Sequence, residues 1–99
     1  MSKHLTIEQV HAVIPDRRAG PTPATMWQRN ILWLVAHEAG AYKRHLAILY
    51  NRDGTTVCYG IQRARKMLAS GHSIAYDYYA RLTVHAAEVL ARRTASGAT

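Results

Sequence analysis

Apolar and polar positions along the chain follow a helical period, and turn residues separate the periodic segments. Thr6 and Gln9 stand three residues apart with apolar residues on both sides, which is the pattern of a capping box. This pattern predicts a short helix over Ile7–Ile14, which Pro15 ends because the residue before a proline avoids helical geometry. The segment Pro15–Thr25 contains three prolines and a glycine and is predicted to be a loop.

Two further helices are predicted between this loop and residue 50. The first begins at Thr22 or Thr25, either of which can cap it, and ends at Gly40. Arg29 is predicted to lie opposite its core face. The core positions of this helix are predicted to be Trp27, Ile31, Leu34 and Val35. A shorter helix is predicted over Tyr42–Tyr50, with its leucines facing inward.

The C-terminal half of the chain contains two longer amphipathic patterns. The turn segment Asn51–Gly54 precedes the first, with Asp53 as its N-cap, and Gly71 closes it. Ser73 is predicted to cap the second. The predicted core stripes are Val57, Ile61, Ala64 and Leu68 in the first helix, and Ile74, Tyr78, Leu82, His85 and Val89 in the second.

Length and composition indicate a single domain. A chain of 99 residues can bury one core but not two. Since no strand-like alternation occurs, the sequence predicts an all-α fold with about five helices over residues 1–95 and a frayed tail at 96–99, with small and polar residues prevailing from Ala91 onward. No apolar stretch approaches the roughly 18 residues that a membrane span needs. The single cysteine, Cys58, excludes an internal disulfide.

The charge of the chain points to a polyanionic partner. Thirteen lysines and arginines stand against six acidic residues, for a net charge of +7. A small domain with this excess typically binds nucleic acid. A membrane surface would require one strongly basic amphipathic helix, and none stands out. The charge therefore favours nucleic acid as the partner, without membrane association; the alternative is a charge that merely keeps the surface soluble. A double-stranded DNA partner would place the protein in the cytoplasm, at the nucleoid.

The short helix, tight turn and longer helix over residues 42–68 have the layout of a helix-turn-helix. Such a unit reads base edges with the outward face of its second helix. Thr55 and Thr56 suit base contacts, and Lys43 and Arg44 suit the phosphate backbone. The further candidates on the longer helix are Tyr59, Arg63 and Lys66. The proline-rich loop, with Arg17 and Arg18, is either a solvated linker or a basic arm that reaches a phosphate backbone or a minor groove.

The segment Arg52-Asp53-Gly54-Thr55-Thr56-Val57 resembles the R-D-H-T-T-V signature of the C-terminal DNA-binding domain of the bacterial replication initiator DnaA. The resemblance covers about residues 5–68. Within it, residues 5–10 resemble the opening helix, residues 28–38 resemble the long second helix, and Gln62–Lys66 matches a basic stretch. In that family the D-x-T-T segment opens the recognition helix and contacts bases and phosphates. The resemblance therefore implies DNA-binding roles for Arg52, Asp53, Gly54, Thr55 and Thr56.

The chain departs from the family pattern at two positions. Gly54 stands where the family has histidine. The family's minor-groove arginine aligns near Met26 and Trp27, and its candidate substitutes are Arg17, Arg18 and Arg29. The chain also lacks the phosphate-binding motif G-x-x-x-x-G-K-S/T, so we expect a free-standing or excised relative of the DNA-binding domain rather than an initiator ATPase.

These observations predict a sequence-specific DNA-binding protein that acts as a bacterial or phage transcription regulator or as a replication-initiation control factor. RNA polymerase and replication-initiation proteins are its candidate protein partners. The alternative is a protein-interaction module of DnaA-like fold that does not read DNA. The six histidines lack zinc-site spacing, and Ala41 stands where H-E-x-x-H would need its second histidine. No catalytic constellation assembles, so we expect no metal, no cofactor and no enzymatic activity.

Overall fold

The computed structural model describes residues 5–14 and 23–97. The helices in these ranges are α1 (Ile7–Val13), α2 (Pro23–Glu38), α3 (Lys43–Tyr50), α4 (Gly54–Ala69) and α5 (Ser73–Gly97). No strand occurs among the described residues. The prediction of an all-α fold with about five helices is confirmed, and most helix ends fall within a residue of their expected positions.

Local hydrogen bonds explain where α1 begins and where α2 ends. The backbone N–H of Gln9 donates to Thr6 Oγ1 at 3.2 Å and that of Thr6 to Gln9 Oε1 at 2.9 Å, so the predicted capping box is present. At the end of α2, Gly40 adopts a φ of 118°, which only glycine reaches easily, and the N–H of Ala41 donates to the carbonyl of Ala36. The N–H of Leu5 donates to the Gly40 carbonyl at 2.9 Å, tying the start of α1 to this turn.

The core is built around α2, which packs against both α4 and α5. Eight consecutive residues of α2, residues 29–36, are buried. A helix buried on so many sides must lie between other elements rather than on one surface of the domain. Its largest buried side chain is Trp33, which the sequence analysis did not assign to the core. The other fully buried large side chains are Val10, Ile31, Leu34, Leu46, Val57 and Ile61.

The core face of α5 differs from the predicted stripe. Ile74 is 66% exposed, so its assignment to the core was wrong, while Ala75 is completely buried. Leu82 is buried as predicted, and Ala86 is buried next to His85, which is half-buried. The hydrophobicity pattern ranks isoleucine above alanine, but small residues are what allow two helices to approach closely.

The two ends of α5 also differ from expectation. Ser73 is the first residue of the helix, and the capping acceptor is the preceding residue, His72, whose Nδ1 accepts the N–H of Ala75 at 3.2 Å. At the other end the backbone stays helical to Gly97, although the sequence predicted that the small and polar residues from Ala91 onward would fray.

Candidate nucleic-acid interface

A three-residue turn joins α3 to α4 and fixes where α4 begins. Asn51 has left-handed backbone angles (φ 52°, ψ 50°), its N–H donates to the carbonyl of Ile48, and the N–H of Arg52 donates to that of Ala47 at 2.9 Å. This pair of bonds is a Schellman motif with asparagine in place of the usual glycine. Asp53 then caps α4 as predicted, because its carboxylate accepts the N–H of Thr56 at 2.8 Å. Hydrogen bonds from the backbone N–H and the side-chain hydroxyl of Thr56 lower the pKa of Asp53.

The outward face of α4 carries most of the candidate DNA-binding side chains. Thr55, Arg63 and Lys66 are exposed, Tyr59 is 60% exposed, and Gly54 stands exposed at the first turn. The sequence of α4 contains no aspartate or glutamate. On the opposite side Val57, Ile61 and Ala64 are buried as predicted, and Leu68 is half-buried. The face of α4 left exposed is therefore cationic and rich in hydroxyl groups.

Gly60 sets the distance between α4 and α2. A Cβ atom at this position would lie 2.5 Å from Cε3 of Trp33 and 2.7 Å from Oδ1 of Asn30. Real Cβ atoms do not approach other heavy atoms this closely, so only glycine allows α4 to lie against the Trp33 ring. Gly54 is the opposite case, because a Cβ there would meet no atom within 4 Å.

A cleft of about 270 Å³ lies between α2 and α4. Its lining residues are Met26, Arg29 and Asn30 from α2, and Thr56, Tyr59, Gly60 and Arg63 from α4. Thr56 is half-buried and lines this cleft, whereas Thr55 is exposed. The two threonines that the sequence analysis grouped together therefore have different surroundings.

Arg29 does not lie opposite the core face of α2, and that prediction was wrong. Its side chain is only 7% exposed, and its guanidinium stacks over the Trp33 ring at 4.3 Å. One Nη2–H donates to Asn30 Oδ1 at 3.2 Å. Burial lowers the pKa of Arg29, and the positive charges of Arg52 and Arg63 lower it further. Arg29 lines the cleft between α2 and α4, so it can meet an anion there rather than along an open helix face.

The cations of α3 occupy two different positions. Arg44 is exposed, and its guanidinium stacks over the Tyr42 ring at 4.5 Å. Lys43 is half-buried and its Nζ lies 3.7 Å from Sγ of Cys58 on α4. Cys58 is itself half-buried, as expected for a small residue at the edge of a packed face. Both residues stand at the start of α3, but Arg44 is exposed to solvent whereas Lys43 contacts α4.

The structure brings most, but not all, of the predicted site together. The turn and the first four turns of α4 provide one exposed surface, which carries Arg52, Asp53, Gly54, Thr55, Tyr59, Arg63 and Lys66. Arg29 and Thr56 lie in the adjoining cleft. Arg17 and Arg18 lie outside the described residues. The sequence analysis missed the contributions of Met26, Asn30 and Gly60, and only the glycine within a helical core stripe gave a signal that could have been used.

Two classes of feature are not found in the described part of the chain. Residues 5–14 and 23–97 contain no group of three or more histidine, cysteine, aspartate or glutamate side chains placed to hold a metal ion. None of the helices in these ranges has the length and apolar character needed to cross a membrane.

Comparisons with known proteins identify no relative of this chain. No protein-family model matches it, and neither the curated proteins nor the solved structures gave a match. Assignment of function therefore depends on the geometry and chemistry of the chain itself.

Proposed function

We propose that this protein binds double-stranded DNA through the unit formed by α3, the turn at Asn51–Asp53 and α4. In this arrangement the N-terminal half of α4 enters the major groove and α3 lies across the sugar-phosphate backbone. The protein would act at the bacterial nucleoid, in transcription or in the control of replication initiation.

One observation carries this proposal. The exposed face of α4 presents cations and hydroxyl groups and no carboxylate of its own, and Asp53, which precedes the helix, is engaged in capping it. Residues 43–69 contain six lysines and arginines and a single aspartate. A surface of this kind attracts the phosphate backbone, and its threonine and tyrosine side chains can meet base edges. The resemblance of Arg52–Val57 to the DnaA signature points to the same surface.

In this proposal the side chains of the exposed face have two different roles, base contact and phosphate contact. Thr55 and Tyr59, four residues apart on α4, are both exposed and are placed to contact bases. Arg52 precedes them along the chain, Arg63 and Lys66 follow them, and these cations suit phosphate contacts. Arg44 extends the cationic surface to the start of α3. Base contacts would set the preferred sequence, and the cations would set affinity and register.

A salt titration of DNA binding tests the proposal. If about five phosphates are neutralised, the logarithm of the association constant falls with the logarithm of salt concentration at a slope near −4.5. Between roughly 50 and 200 mM salt the affinity for a labelled duplex should therefore drop several hundred-fold, as measured by fluorescence anisotropy. A flat titration over this range, or no binding at low salt, would contradict DNA binding.

Sequence preference is tested by selecting bound fragments from a pool of genomic DNA with the wild type and with two variants. Thr55→Ala should weaken binding to the preferred site while changing random DNA little, since a good base contact contributes about 1–3 kcal/mol of discrimination. Gly54→His should fold, because its Cβ meets open space, and should change which fragments are selected. Unchanged selection by both variants would show that this face does not read bases.

A second candidate function is a protein-interaction module. Three large apolar side chains on α5, Ile74, Tyr76 and Val84, are each more than half exposed, and such residues are typical of protein contacts. Their spacing along the helix is wide, and the α4 surface is the more cationic of the two. This second function would be supported if the protein did not bind DNA at low salt and bound a replication or transcription protein through α5.

A further inference from the structure

The cleft between α2 and α4 contains a buried cation with no acidic partner. Arg29 is more than nine-tenths buried, lines the cleft, and its Nε has no hydrogen-bond partner. Among the described residues no carboxylate forms an ion pair with it. A buried charge of this kind is costly unless an opposite charge or a full set of hydrogen bonds compensates it.

The contacts that Arg29 makes offset only part of the cost of burying its charge. The Trp33 ring offers its face at 4.3 Å, and Asn30 accepts one hydrogen bond at 3.2 Å. A guanidinium has five N–H donors, so most of its donor capacity is left for another group. The cleft gives such a group access to Arg29, whose side chain forms part of its lining.

The electrostatic surroundings select an anion. Arg63 lines the same cleft, and both Arg52 and Arg63 act on Arg29 strongly enough to lower its pKa. The cleft is therefore lined by two guanidinium groups, those of Arg29 and Arg63, and Thr56 adds a hydroxyl to the lining. Arginine clusters are suited to phosphate because the planar fork binds two oxygens at once.

We propose that this cleft binds a phosphate group, held by Arg29 from the α2 side and by Arg63 and Thr56 from the α4 side. Its volume of about 270 Å³ admits a phosphate group but falls below the range of cavities that enclose drug-sized ligands. The phosphate therefore enters as a protruding group of a larger molecule or as a small free anion.

Two sources of phosphate fit this cleft, and the DNA backbone is one of them. Thr56 stands in the first turn of α4 and Arg63 two turns later, so the cleft runs along the edge of the face proposed to enter the major groove. In this form the inference rests on the proposed function. The second source is a small phosphorylated molecule, which requires no DNA binding.

The first experiment uses inorganic phosphate as the probe. The Tm of the full chain is measured in phosphate and in chloride at equal ionic strength and pH. A phosphate concentration about ten times the dissociation constant should raise Tm by roughly 5–10 °C in a domain of this size. Arg29→Met and Arg63→Met should each abolish this rise, while Arg81→Met, which removes the same charge from α5, should preserve it.

Arg29→Met carries a second readout that needs no ligand. Removal of a buried charge without a partner relieves its desolvation cost, so the variant should have a higher Tm than the wild type in chloride. If Arg29→Met does not fold, Arg63→Met carries the test alone, because Arg63 is exposed and its removal leaves the core intact.

The second experiment addresses the DNA source. Duplexes with a single uncharged methylphosphonate are scanned along the preferred site. The wild type should lose on the order of tenfold in affinity at one backbone position, and Arg29→Met should be insensitive at that position. This pattern assigns the phosphate to the DNA backbone.

The outcomes separate this inference from the proposed function. A phosphate-dependent Tm rise that requires Arg29, in a chain that binds no DNA, supports the cleft and refutes DNA binding. Normal DNA affinity in Arg29→Met, together with equal Tm of the wild type in phosphate and chloride, overturns the cleft and leaves DNA binding intact. Loss of the Tm rise in Arg81→Met as well would show a general charge effect and would also overturn it.

Discussion

Helices α4 and α5 both pack against α2, but they differ in whether their charged side chains form ion pairs within the helix. On α5, Arg81 pairs with Asp77 at 3.0 Å and Arg92 lies 3.8 Å from Glu88, both at a spacing of four residues. On α4, Arg63, Arg65 and Lys66 share a helix with no acidic residue. Within residues 5–14 and 23–97 these three cations have no ion pair with a carboxylate. The charges of α5 interact with each other, whereas those of α4 are left for a partner.

The two helices also use different small residues to reach α2. Helix α5 buries Ala75 and Ala86. Helix α4 buries Gly60 against the Trp33 ring, a contact that leaves no room for a methyl group. α4 is therefore held closely against α2, as the proposed contact with DNA in a fixed register would require. This difference leads to predictions that separate stability from binding.

The largest effect is expected at Gly60. The Cβ of Gly60→Ala would collide with the buried Trp33 ring, and overpacking of this kind costs about 1–3 kcal/mol. The free energy of unfolding, measured by urea denaturation, should fall accordingly even though alanine favours helix more than glycine does.

Gly54→Ala is the matched control on the same helix. Its Cβ meets open space, so the unfolding free energy should rise by up to about 1 kcal/mol. If the two alanine variants had equal stability, α4 would not be held by close contact with Trp33.

A smaller effect is expected from the contact that ties α5 to α2. The hydroxyl of Tyr79 donates to Oε1 of Glu38 at 2.5 Å, and this hydrogen bond raises the pKa of Tyr79. Tyr79→Phe should lower the free energy of unfolding by about 0.5–1.5 kcal/mol. DNA affinity measured by anisotropy should stay unchanged, because this contact lies on α5. A variant of normal stability and weakened DNA binding would place α5 in the interface.

The smallest effect is expected at Asp53, which is fully exposed. Because its pKa is lower in the folded chain than the ordinary value near 3.9, its charge stabilises the fold above about pH 4. This contribution is lost as the pH falls through the lower folded pKa. Asp53→Asn keeps a capping oxygen but loses the charge, so its urea midpoint should be below that of the wild type at pH 7.

The pH dependence of that difference is the control. The wild type and Asp53→Asn should converge as the pH falls from about 4 through the lowered pKa of the folded Asp53 carboxylate, where it becomes protonated. A gap in urea midpoint of the same size at pH 7 and at pH 3 would mean that the Asp53 charge does not stabilise α4.

The features predicted well from the sequence are those that depend on near neighbours. The Thr6–Gln9 capping box, the Asp53 cap and the Val57 stripe each depend on residues within one or two turns of a helix. Long-range packing explains the errors. Ile74 is exposed and Ala75 buried because the volume available next to α2, rather than hydrophobicity, decides the orientation of α5.

In the candidate site, too, the features set by near neighbours were predicted and those set by long-range packing were not. The exposed positions of Thr55, Tyr59 and Lys66 follow from the period of α4 and were predicted. The burial of Arg29 was not, because it requires the Trp33 ring beneath the guanidinium and Gly60 on the facing helix. No local pattern contains both partners, since Gly60 is some thirty residues away from Arg29 in the sequence.

The most direct test of the account compares two double variants that remove the same net charge. Arg63→Gln with Lys66→Gln takes two cations from the outward face of α4, and Arg81→Gln with Arg92→Gln takes two from α5. Binding of a labelled duplex is followed by anisotropy over a salt series. The α4 pair should reduce the salt slope by about 2 and weaken binding on the order of tenfold or more, while the α5 pair should change neither appreciably. Equal losses from the two pairs would contradict the account, because they would show that DNA responds to net charge and not to the face of α4.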